Sequence, residues 1–395
     1  MKYVALLLHM YQPPIQRPEI VDQVVQDTYD PLSRQLAEFP TLKLSANINF
    51  SLIRHLHSLA PDTLNRIRDC YESGALEITS SGAYHPIFPL ISEVEVERQL
   101  RKNDEGMRQF FSSRFAPEGV FPPELAYHDN LPDLFRRLGY RWTLADDGTM
   151  SYYGIDVPYD DIYTSHGIPV FLRSNHWSNK LADAQYVWRH GKDFVEELAR
   201  GMKSWIGERD GYIVIALDGE TFGHHRRSLN ESFLREMFEA FHNCDLRLAH
   251  LSELSRIFPH RPQFLPPSSW STDLAGVINR DYFSWWKSPQ NRVHTLQWEL
   301  TDYVAAKVND LAAHEELRDE MDQALYSCQY WWASFWRFNA DEVCKGVFNL
   351  MRILHHVAEI HGDRYDELAE GERICRELIT EIELEHNRRQ HEQQS

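Results

Sequence analysis

The sequence predicts an α/β protein: an incomplete (β/α)7 barrel, distorted relative to the eight-stranded TIM type, followed by a C-terminal helical bundle. Two patterns predict this fold. Short apolar runs alternate with longer amphipathic segments, which is typical of parallel βαβ units. Nearly every apolar run is also followed by a charged or amide side chain. Because barrel enzymes build their sites at the carboxyl ends of their strands, the second pattern indicates a functional site at one end of the barrel.

Seven apolar runs are the predicted strands, one fewer than in a TIM barrel. Helical spacing predicts helices over residues 60–73, 93–111 and 130–138. Gly74 and Gly139 follow the first and the last of these, and glycine is the usual residue just past a helix end. The strands are predicted at residues 3–8, 42–48, 76–79, 119–121, 141–144, 169–172 and 213–217.

The chain has 395 residues and a formal charge of -18, with a pI of about 5.5. Such an acidic surface argues against nucleic acid and against anionic membranes as partners, and it suits a neutral substrate. The five cysteines form no CxxC pair, so neither a disulfide framework nor a zinc site is indicated. We therefore expect no metal and no cofactor. The sequence indicates no oligomeric state.

The first nine residues are apolar enough to resemble a signal peptide. The run is short and no small-residue cleavage site follows it, so we interpret it as a buried first strand. No stretch approaches the roughly 18 apolar residues that a membrane span needs. These features predict a cytoplasmic protein.

A proline-rich stretch after Phe258 marks the predicted end of the barrel. The predicted organisation is a catalytic barrel over residues 1–258, a linker and cleft-covering segment over 259–292, and a helical domain over 293–395. In that last part the pattern predicts helices at 293–313, 315–338, 341–360 and 365–383, and a frayed polar tail from Arg388.

Glu124 and Asp218 are the strongest candidates for catalysis. Each comes at the end of an apolar run, with glycine, proline or aromatic residues around it. Such a carboxylate is poorly placed for structure and well placed to point into a pocket. Two of them on neighbouring strands would suit the nucleophile and the general acid of a sugar-cleaving enzyme, which lie about 5 to 5.5 Å apart when the mechanism is retaining. The alternative is that both cap a following helix.

Several other polar residues are candidates for substrate binding. His9, Tyr11 and Gln12 are displayed where two prolines end the first strand, and their polar tips suit sugar hydroxyls. Three further candidates follow the third and sixth runs: His85, Arg173 and His176.

Three positions leave alternatives open. Glu77 either faces the barrel interior or packs outward against a helix. Glu220 lies two residues after Asp218 and would face the same side if the strand continued, but Gly219 favours a turn that would direct Glu220 outward. His224 is adjacent to a second histidine without an HxH or HxxxH pattern, so metal binding is the weaker interpretation.

Four short motifs follow one another along the chain: His9-x-Tyr-Gln-Pro, Gly74-x-x-Glu77-Ile, Phe121-x-x-Glu124 and Asp218-Gly-Glu-Thr-Phe-Gly223. In this order they resemble the first four signature regions of glycoside hydrolase family 57. A fifth segment, Leu248-Ala-His-Leu-Ser-Glu253-Leu, resembles the fifth region less distinctly, and Ser269-Trp270-Ser and Leu296-Gln-Trp-Glu299-Leu resemble later parts of some members.

The resemblance implies a retaining α-glycosidase on a (β/α)7 barrel with a C-terminal helical region. Members of the family include α-amylases, 4-α-glucanotransferases, branching enzymes, amylopullulanases and an α-galactosidase. By the same resemblance, Glu124 matches the nucleophile and Asp218 the general acid/base. Tyr11 departs from the pattern, since the family's first motif usually has a second histidine there. The motif positions that would contribute to the substrate cleft are His9, Glu77, Glu220 and His224.

Trp270 follows the proline-rich stretch within a small, polar segment. We expect it to reach back over the barrel mouth and offer its ring to a sugar. The alternative is that it fills the junction between barrel and bundle.

The leading functional hypothesis is a retaining, α-amylase-like hydrolase of α-linked glucan or oligosaccharides. A 4-α-glucanotransferase or an α-galactosidase is the alternative within the family. Two hypotheses belong to other classes: a non-catalytic glycan-binding protein, and a metal-dependent carbohydrate deacetylase with Asp146, Asp147, His176 and His224 as ligands.

Overall fold

The computed structural model describes residues 1–183, 185–311, 313–362 and 365–394. Its centre is a barrel of seven parallel strands in the order β1-β2-β3-β4-β5-β7-β8. These seven strands correspond one for one to the seven predicted apolar runs. They are β1 (Lys2–Met10), β2 (Leu44–Ile48), β3 (Leu76–Thr79), β4 (Gly119–Val120), β5 (Trp142–Asp146), β7 (Ile168–Arg173) and β8 (Gly211–Asp218).

Two sparse junctions close the barrel. Between β3 and β4, Ser80 pairs with Val120, and the Ser80 amide donates to the Gly119 carbonyl at 2.9 Å. Between β7 and β8 the register contains a single residue pair, Arg173 with Val214. The prediction of an incomplete, distorted barrel is confirmed, because the strands close into a ring through only a few backbone contacts at these two places.

Three further short strands were not predicted, because none is a distinct apolar run. In chain order, the first of these strands runs antiparallel to β7 outside the barrel, and the third pairs with the first. The second pairs with the first residues of β1. They are β6 (Ile162–Ser165), β9 (Leu246–Leu248) and β10 (His260–Pro262).

Helices surround the barrel. Asn49 and Ser92 cap the starts of two of them, with their side-chain oxygens accepting from backbone amides three residues on. Gly74 and Gly139 have φ of 80° and 93°, so both take the left-handed backbone expected of residues past a helix end. The helices are α1 (Pro18–Val24), α2 (Asp30–Glu38), α3 (Phe50–Leu59), α4 (Pro61–Glu72), α5 (Glu93–Phe110), α6 (Leu131–Arg137), α7 (Asn175–Ala182), α8 (Gly191–Ile206), α9 (Glu231–Asn243), α10 (Leu251–Ile257) and α11 (Leu274–Asn279).

The C-terminal part is helical, as predicted, and has its own apolar core. Long helices α12, α15 and α16 pack on one another, and α13 packs on α15. The helices of this part are α12 (Arg292–Asp310), α13 (Glu315–Ala324), α14 (Cys328–Trp331), α15 (Ala340–His361) and α16 (Tyr365–Gln394).

Two predictions about this part are wrong. The single helix predicted over 315–338 is broken into α13, the short α14 and a tight turn, because the Ser327 amide donates to the His85 carbonyl of the barrel instead of continuing the helix. The tail predicted to fray from Arg388 is helical to Gln394, since Arg388 bonds Glu385 and Glu392 one turn away on either side. Within the described residues, no helix is both long and apolar enough to cross a membrane.

Candidate active site

The site lies at the carboxyl ends of the barrel strands. β1 and β8 are parallel and in register, so His9 and Asp218, their last polar residues, stand side by side. Just past Asp218, Gly223 takes φ 104°, where a Cβ would lie 2.0 Å from the Asp27 carbonyl oxygen. The sharp turn that ends this motif therefore requires glycine.

Glu124 follows the short strand β4 on a left-handed backbone, with φ 60° and ψ 20°. Leu125 also has positive φ, at 48°. Left-handed non-glycine residues cost of order 1 to 3 kcal/mol each and persist only where the surrounding structure holds them. Here Pro122 and Pro123 precede the strained residues and restrict the chain. Because such strain is concentrated at functional sites, the backbone of Glu124 supports its assignment as a site residue.

Trp270 provides a direct contact to Glu124. Its indole Nε1 donates to Glu124 Oε2 at 2.8 Å, and its amide donates to the Glu124 carbonyl at 3.3 Å. Nearby, Tyr127 and Ser268 exchange two backbone hydrogen bonds of 2.7 and 3.1 Å as an antiparallel bridge. The segment after the proline-rich stretch thus contacts the residues around Glu124 at the barrel mouth. A sugar contact by Trp270 stays a prediction.

A chain of hydrogen bonds joins the two sides of the mouth. Asn47 Nδ2 donates to Thr79 Oγ1 at 3.0 Å, and Asn47 Oδ1 lies 2.8 Å from His9 Nδ1. His9 Nε2 lies 3.1 Å from His85 Nε2. His85 Nδ1 in turn is 3.8 Å from Glu124 Oε1. The two histidines therefore bridge the strand end that carries Asp218 and the turn that carries Glu124.

Burial dominates the electrostatics of both candidate carboxyls. Burial and then the charge of Asp218 raise the pKa of Glu124, while the Trp270 hydrogen bond opposes the rise. Burial likewise raises the pKa of Asp218, and the nearby His9 and Arg173 oppose it. Because each carboxyl disfavours charge on the other, the pair holds a proton more readily than two isolated carboxyls would.

Glu220 is a third carboxyl beside this half-buried pair, and it is buried. It accepts hydrogen bonds from the Tyr29 hydroxyl and, at 3.3 Å, from the Tyr11 amide. Burial and the charge of Asp218 raise the pKa of Glu220 to about 8. Gln12 is buried in the same layer and donates to the Tyr29 hydroxyl at 3.3 Å. Glu220 thus points inward, although its predicted role as a sugar contact has no support in these contacts.

Tyr11, the departure from the family pattern, packs flat on His85 with ring centroids 4.1 Å apart. Its ring therefore covers the histidine that lies next to Glu124. Its hydroxyl oxygen is buried. The Tyr11 ring thus stacks within the site.

Arg173 is held by three hydrogen bonds. Its guanidinium donates to the Ala216 carbonyl at 2.7 Å, to Asp146 Oδ2 at 2.6 Å and to Asn179 Oδ1 at 2.8 Å. It also lies 5.8 Å from the centre of the Trp270 ring. These bonds already engage all three guanidinium nitrogens, so Arg173 acts on the site mainly through its charge and its support of Trp270.

The structure places three of the predicted site residues away from this cluster. Glu77 faces the barrel interior, because its neighbours Leu76 and Ile78 pack outward against the helices. There it accepts from the Leu251 and Ser252 amides at 3.0 and 3.3 Å and caps helix α10. His176 is exposed on α7 and packs 5.2 Å from the Trp205 ring. His224 lies 3.0 Å from Asp27 Oδ2, at the turn after β8. The open alternative for Glu77 is thereby resolved inward, although its carboxylate bonds α10 and not the groups at the barrel mouth.

The ligand set required by the deacetylase hypothesis is not assembled. Asp146 is paired with Arg173, whereas His176 and His224 lie on different elements with other partners. Asp147 accepts from the Asn175 amide at 2.8 Å. Over the described ranges, no group of three or more His, Cys, Asp or Glu side chains is placed to hold a metal ion. The carboxyls gathered at the mouth are groups that can perform acid–base and nucleophilic chemistry.

Sequence reasoning missed two residues that complete the site. Tyr29 lies in a π-helical turn, Val25–Tyr29, for which the apolar pattern offers no signal. Ser327 comes from the helical region, about 240 positions from its partner His85. The sequence shows Asn47 as an amide at the end of the second run, but it does not indicate that Asn47 pairs with His9.

The family model for "Glycosyl hydrolase family 57" matches residues 5–266, which include the Glu124 and Asp218 motifs and all of the barrel except the first residues of β1. The chain belongs to glycosyl hydrolase family 57. The resemblance noted from the four motifs is thus confirmed. Curated relatives of the chain include proteins named as α-amylases and 4-α-glucanotransferases.

Two curated relatives illustrate the range within family 57. The chain is 23% identical over 278 residues to the α-amylase of Pyrococcus horikoshii, covering 67% of this chain and 42% of that protein. It is 24% identical over 277 residues to the 4-α-glucanotransferase of Thermococcus litoralis, covering 67% and 40% respectively. The chain thus spans about two fifths of the length of these relatives.

Solved structures of family 57 proteins share the whole architecture. A GH57-type branching enzyme from Pyrococcus horikoshii superposes with a TM-score of 0.73 at 14% identity, covering 95% of this chain and 94% of that chain. The α-amylase AmyC from Thermotoga maritima gives 0.69 at 16% identity, with 94% and 96% covered. At these identities the likeness establishes the fold, including the C-terminal helices.

Glu220→Gln is expected to change how stability depends on pH. A carboxyl with a raised pKa binds more protons in the folded state than in the unfolded chain, so stability falls as pH rises from about 4.5 to about 8. Glutamine mimics the protonated form. The variant should match the wild type at about pH 5 and melt at a higher temperature at about pH 8.5. Thermal melts at both pH values test this, with Glu118→Gln on the surface as the control. A variant that melts lower at the higher pH would contradict it.

Proposed function

We propose that this chain is a retaining enzyme that acts on α-linked glucan or its oligosaccharides, with Glu124 as nucleophile and Asp218 as general acid/base. The observation that supports it most is the pair itself: two half-buried carboxyls interact at the barrel mouth, and one of them is strained and bonded by Trp270. Family membership independently indicates glycoside chemistry.

In the first step, Glu124 attacks the anomeric carbon of an α-linked unit from the β face. The bond from that carbon to the glycosidic oxygen breaks, and the Asp218 proton passes to the departing oxygen. The products are a β-linked glycosyl ester on Glu124 and a free sugar hydroxyl. Trp270 Nε1 donates to Glu124 Oε2, and this hydrogen bond stabilises negative charge on Glu124 before attack.

In the second step, the Asp218 carboxylate takes a proton from an acceptor hydroxyl, whose oxygen attacks the anomeric carbon from the α face. The ester bond breaks, which restores the Glu124 carboxylate and the protonated Asp218. When the acceptor is water, the result is hydrolysis. When it is another glucan, the result is transfer.

The balance between hydrolysis and transfer gives a second candidate, a 4-α-glucanotransferase. The relatives that match the chain carry both activities in their names at nearly equal identity, 23% and 24%. The catalytic pair serves both reactions, because they differ only in the acceptor. We place α-amylase-like hydrolysis first, with transfer by the same residues as the alternative.

The decisive experiment follows the products on maltooligosaccharides, starch and nitrophenyl α-glycosides. Proton NMR in the first minutes should show the α anomer at the new reducing end, before mutarotation mixes the anomers. Longer oligosaccharides from maltooligosaccharides alone would identify transfer. An initial β anomer would overturn the retaining mechanism, and glucan binding without turnover would indicate a glycan-binding protein.

Trp270→Phe is expected to separate the two roles of the indole. Phenylalanine keeps a ring over the mouth but removes the hydrogen bond to Glu124, so kcat should fall about tenfold while KM stays nearly constant. Trp270→Ala should also raise KM, because the ring is lost. Initial rates and thermal melts on both variants check this. A loss of about 3 to 5 kcal/mol of stability with unchanged KM would instead mean that Trp270 only fills space.

A further inference from the structure

Ser327 lies between α13 and α14, outside the barrel, yet it makes two hydrogen bonds to His85 at the barrel mouth. Its amide donates to the His85 carbonyl at 3.2 Å, and its hydroxyl oxygen lies 2.9 Å from His85 Nδ1. Both residues are buried, and His85 has a left-handed φ of 63°. One serine of the helical region therefore holds both the backbone and the ring of this histidine.

The hydrogen bonds determine where the protons of the two imidazoles lie. Asn47 Nδ2 donates to Thr79, so Asn47 Oδ1 must accept, and His9 Nδ1 is the donor to it. His9 Nε2 is then an acceptor, and the proton between the rings belongs to His85 Nε2.

His85 Nδ1 is consequently unprotonated, and the Ser327 hydroxyl is its donor. Burial lowers the pKa of both histidines, which keeps each ring neutral with one proton.

We propose that Ser327 is a positioning residue of the active site: it holds His85 in the tautomer whose unprotonated Nδ1 faces Glu124. The separation between His85 Nδ1 and Glu124 Oε1 is 3.8 Å, close enough for the polarity of that nitrogen to act on the carboxylate. The tautomer follows from the contacts alone, whereas its catalytic consequence rests on the proposed function.

Loss of the Ser327 hydroxyl removes the only hydrogen-bond donor that the described contacts give to His85 Nδ1. The chain can then invert: the Asn47 amide turns over, His9 carries its proton on Nε2, and His85 carries its proton on Nδ1. An N–H directed at Glu124 favours the charged carboxylate. Activity that requires ionised Glu124 should therefore extend to lower pH.

Ser327 also hydrogen-bonds the Cys328 thiol and lowers its pKa, so loss of the Ser327 hydroxyl would raise that pKa further and leave the thiol neutral. Burial raises the pKa of the Tyr11 and Tyr326 phenols, and it raises the pKa of the Cys328 thiol to about 12, so these three stay neutral. The remaining groups that face the cluster are Asp218, Glu220 and Arg173.

The first test reads the tautomers directly in the full chain labelled with ¹⁵N-histidine. Nitrogen shifts should show His9 protonated at Nδ1 and His85 at Nε2. Ser327→Ala should move the His85 proton to Nδ1, and Ser327→Thr, which keeps the hydroxyl, should not. The inference is overturned if wild-type His85 carries its proton on Nδ1, or if Ser327→Ala leaves both tautomers as they were.

The second test measures the pH profile of kcat/KM. Ser327→Ala should shift the acid limb to lower pH and reduce kcat about tenfold with KM nearly unchanged, as for one lost buried hydrogen bond. Ser334→Ala is the matched control, since that buried serine of the same region bonds Arg337 instead. An unshifted acid limb in Ser327→Ala would overturn the inference and leave the proposed function intact. Full activity of Glu124→Gln would reject the proposed function and leave the tautomer result standing.

Discussion

Glu124→Gln is expected to lower kcat by at least about 10⁴-fold, because an amide cannot form the glycosyl ester. Asp218→Asn should lower kcat about 10²- to 10⁴-fold on substrates with poor leaving groups, since it removes the general acid. The fold should persist in both, because each change replaces a carboxyl by a group of nearly equal size. Steady-state kinetics and circular dichroism on the same preparations check both expectations.

Azide distinguishes the roles of the two residues. In Glu124→Ala, azide should attack from the face that the nucleophile vacated and give a β-glycosyl azide. In Asp218→Ala, azide should attack the β-linked glycosyl enzyme and give an α-glycosyl azide. Glu118→Gln, a surface substitution just before β4, is the control and should keep wild-type kcat. If the same azide anomer formed in both variants, the assignment of roles would be wrong.

Arg173→Met is expected to destabilise the protein by about 3 to 5 kcal/mol. Arg173 and Asp146 form a buried ion pair of 2.6 Å, with side chains only 4% and 2% exposed. Removal of the cation leaves a buried carboxylate without its counterion. Urea unfolding should show a lower midpoint, and the double variant with Asp146→Asn should recover part of the loss because it removes the stranded charge.

The control for this pair is an exposed one. Arg209 and Asp160 are paired on the surface with side chains 64% and 42% exposed. Arg209→Met should change the unfolding free energy by less than about 1 kcal/mol. Equal losses of unfolding free energy in Arg173→Met and Arg209→Met would mean that burial does not increase the contribution of the Arg173 pair to stability.

The barrel was predictable because its strands are buried on both faces. Runs such as that of β1 are almost wholly apolar, and a following polar residue marks each strand end. The apolar runs therefore identified all seven barrel strands. It failed for β10, whose three residues are exposed and carry no apolar signal, and for the break after α13, where a distant histidine takes the backbone amide of Ser327.

The site was predictable only in part, because local sequence marks strand ends but does not show distant partners. His9, Glu124 and Asp218 stand at strand ends, which local sequence marks. Glu77 also lies on a strand inside a motif, yet its carboxylate caps α10, a partner more than 170 residues away. The group that an inward-facing side chain bonds depends on such distant partners, and a local pattern does not contain them.

The origin of the contacts to Glu124 and His85 has a consequence for the timing of activity during synthesis. All seven barrel strands have been made once residue 218 leaves the ribosome. The indole that bonds Glu124 arrives about 50 residues later, and the serine that bonds His85 about 110 residues later. A nascent chain can therefore form its barrel well before it can assemble the complete site. Chains that stop early would carry both carboxyls without the groups that orient them, so truncated products should bind glucan poorly and turn it over slowly.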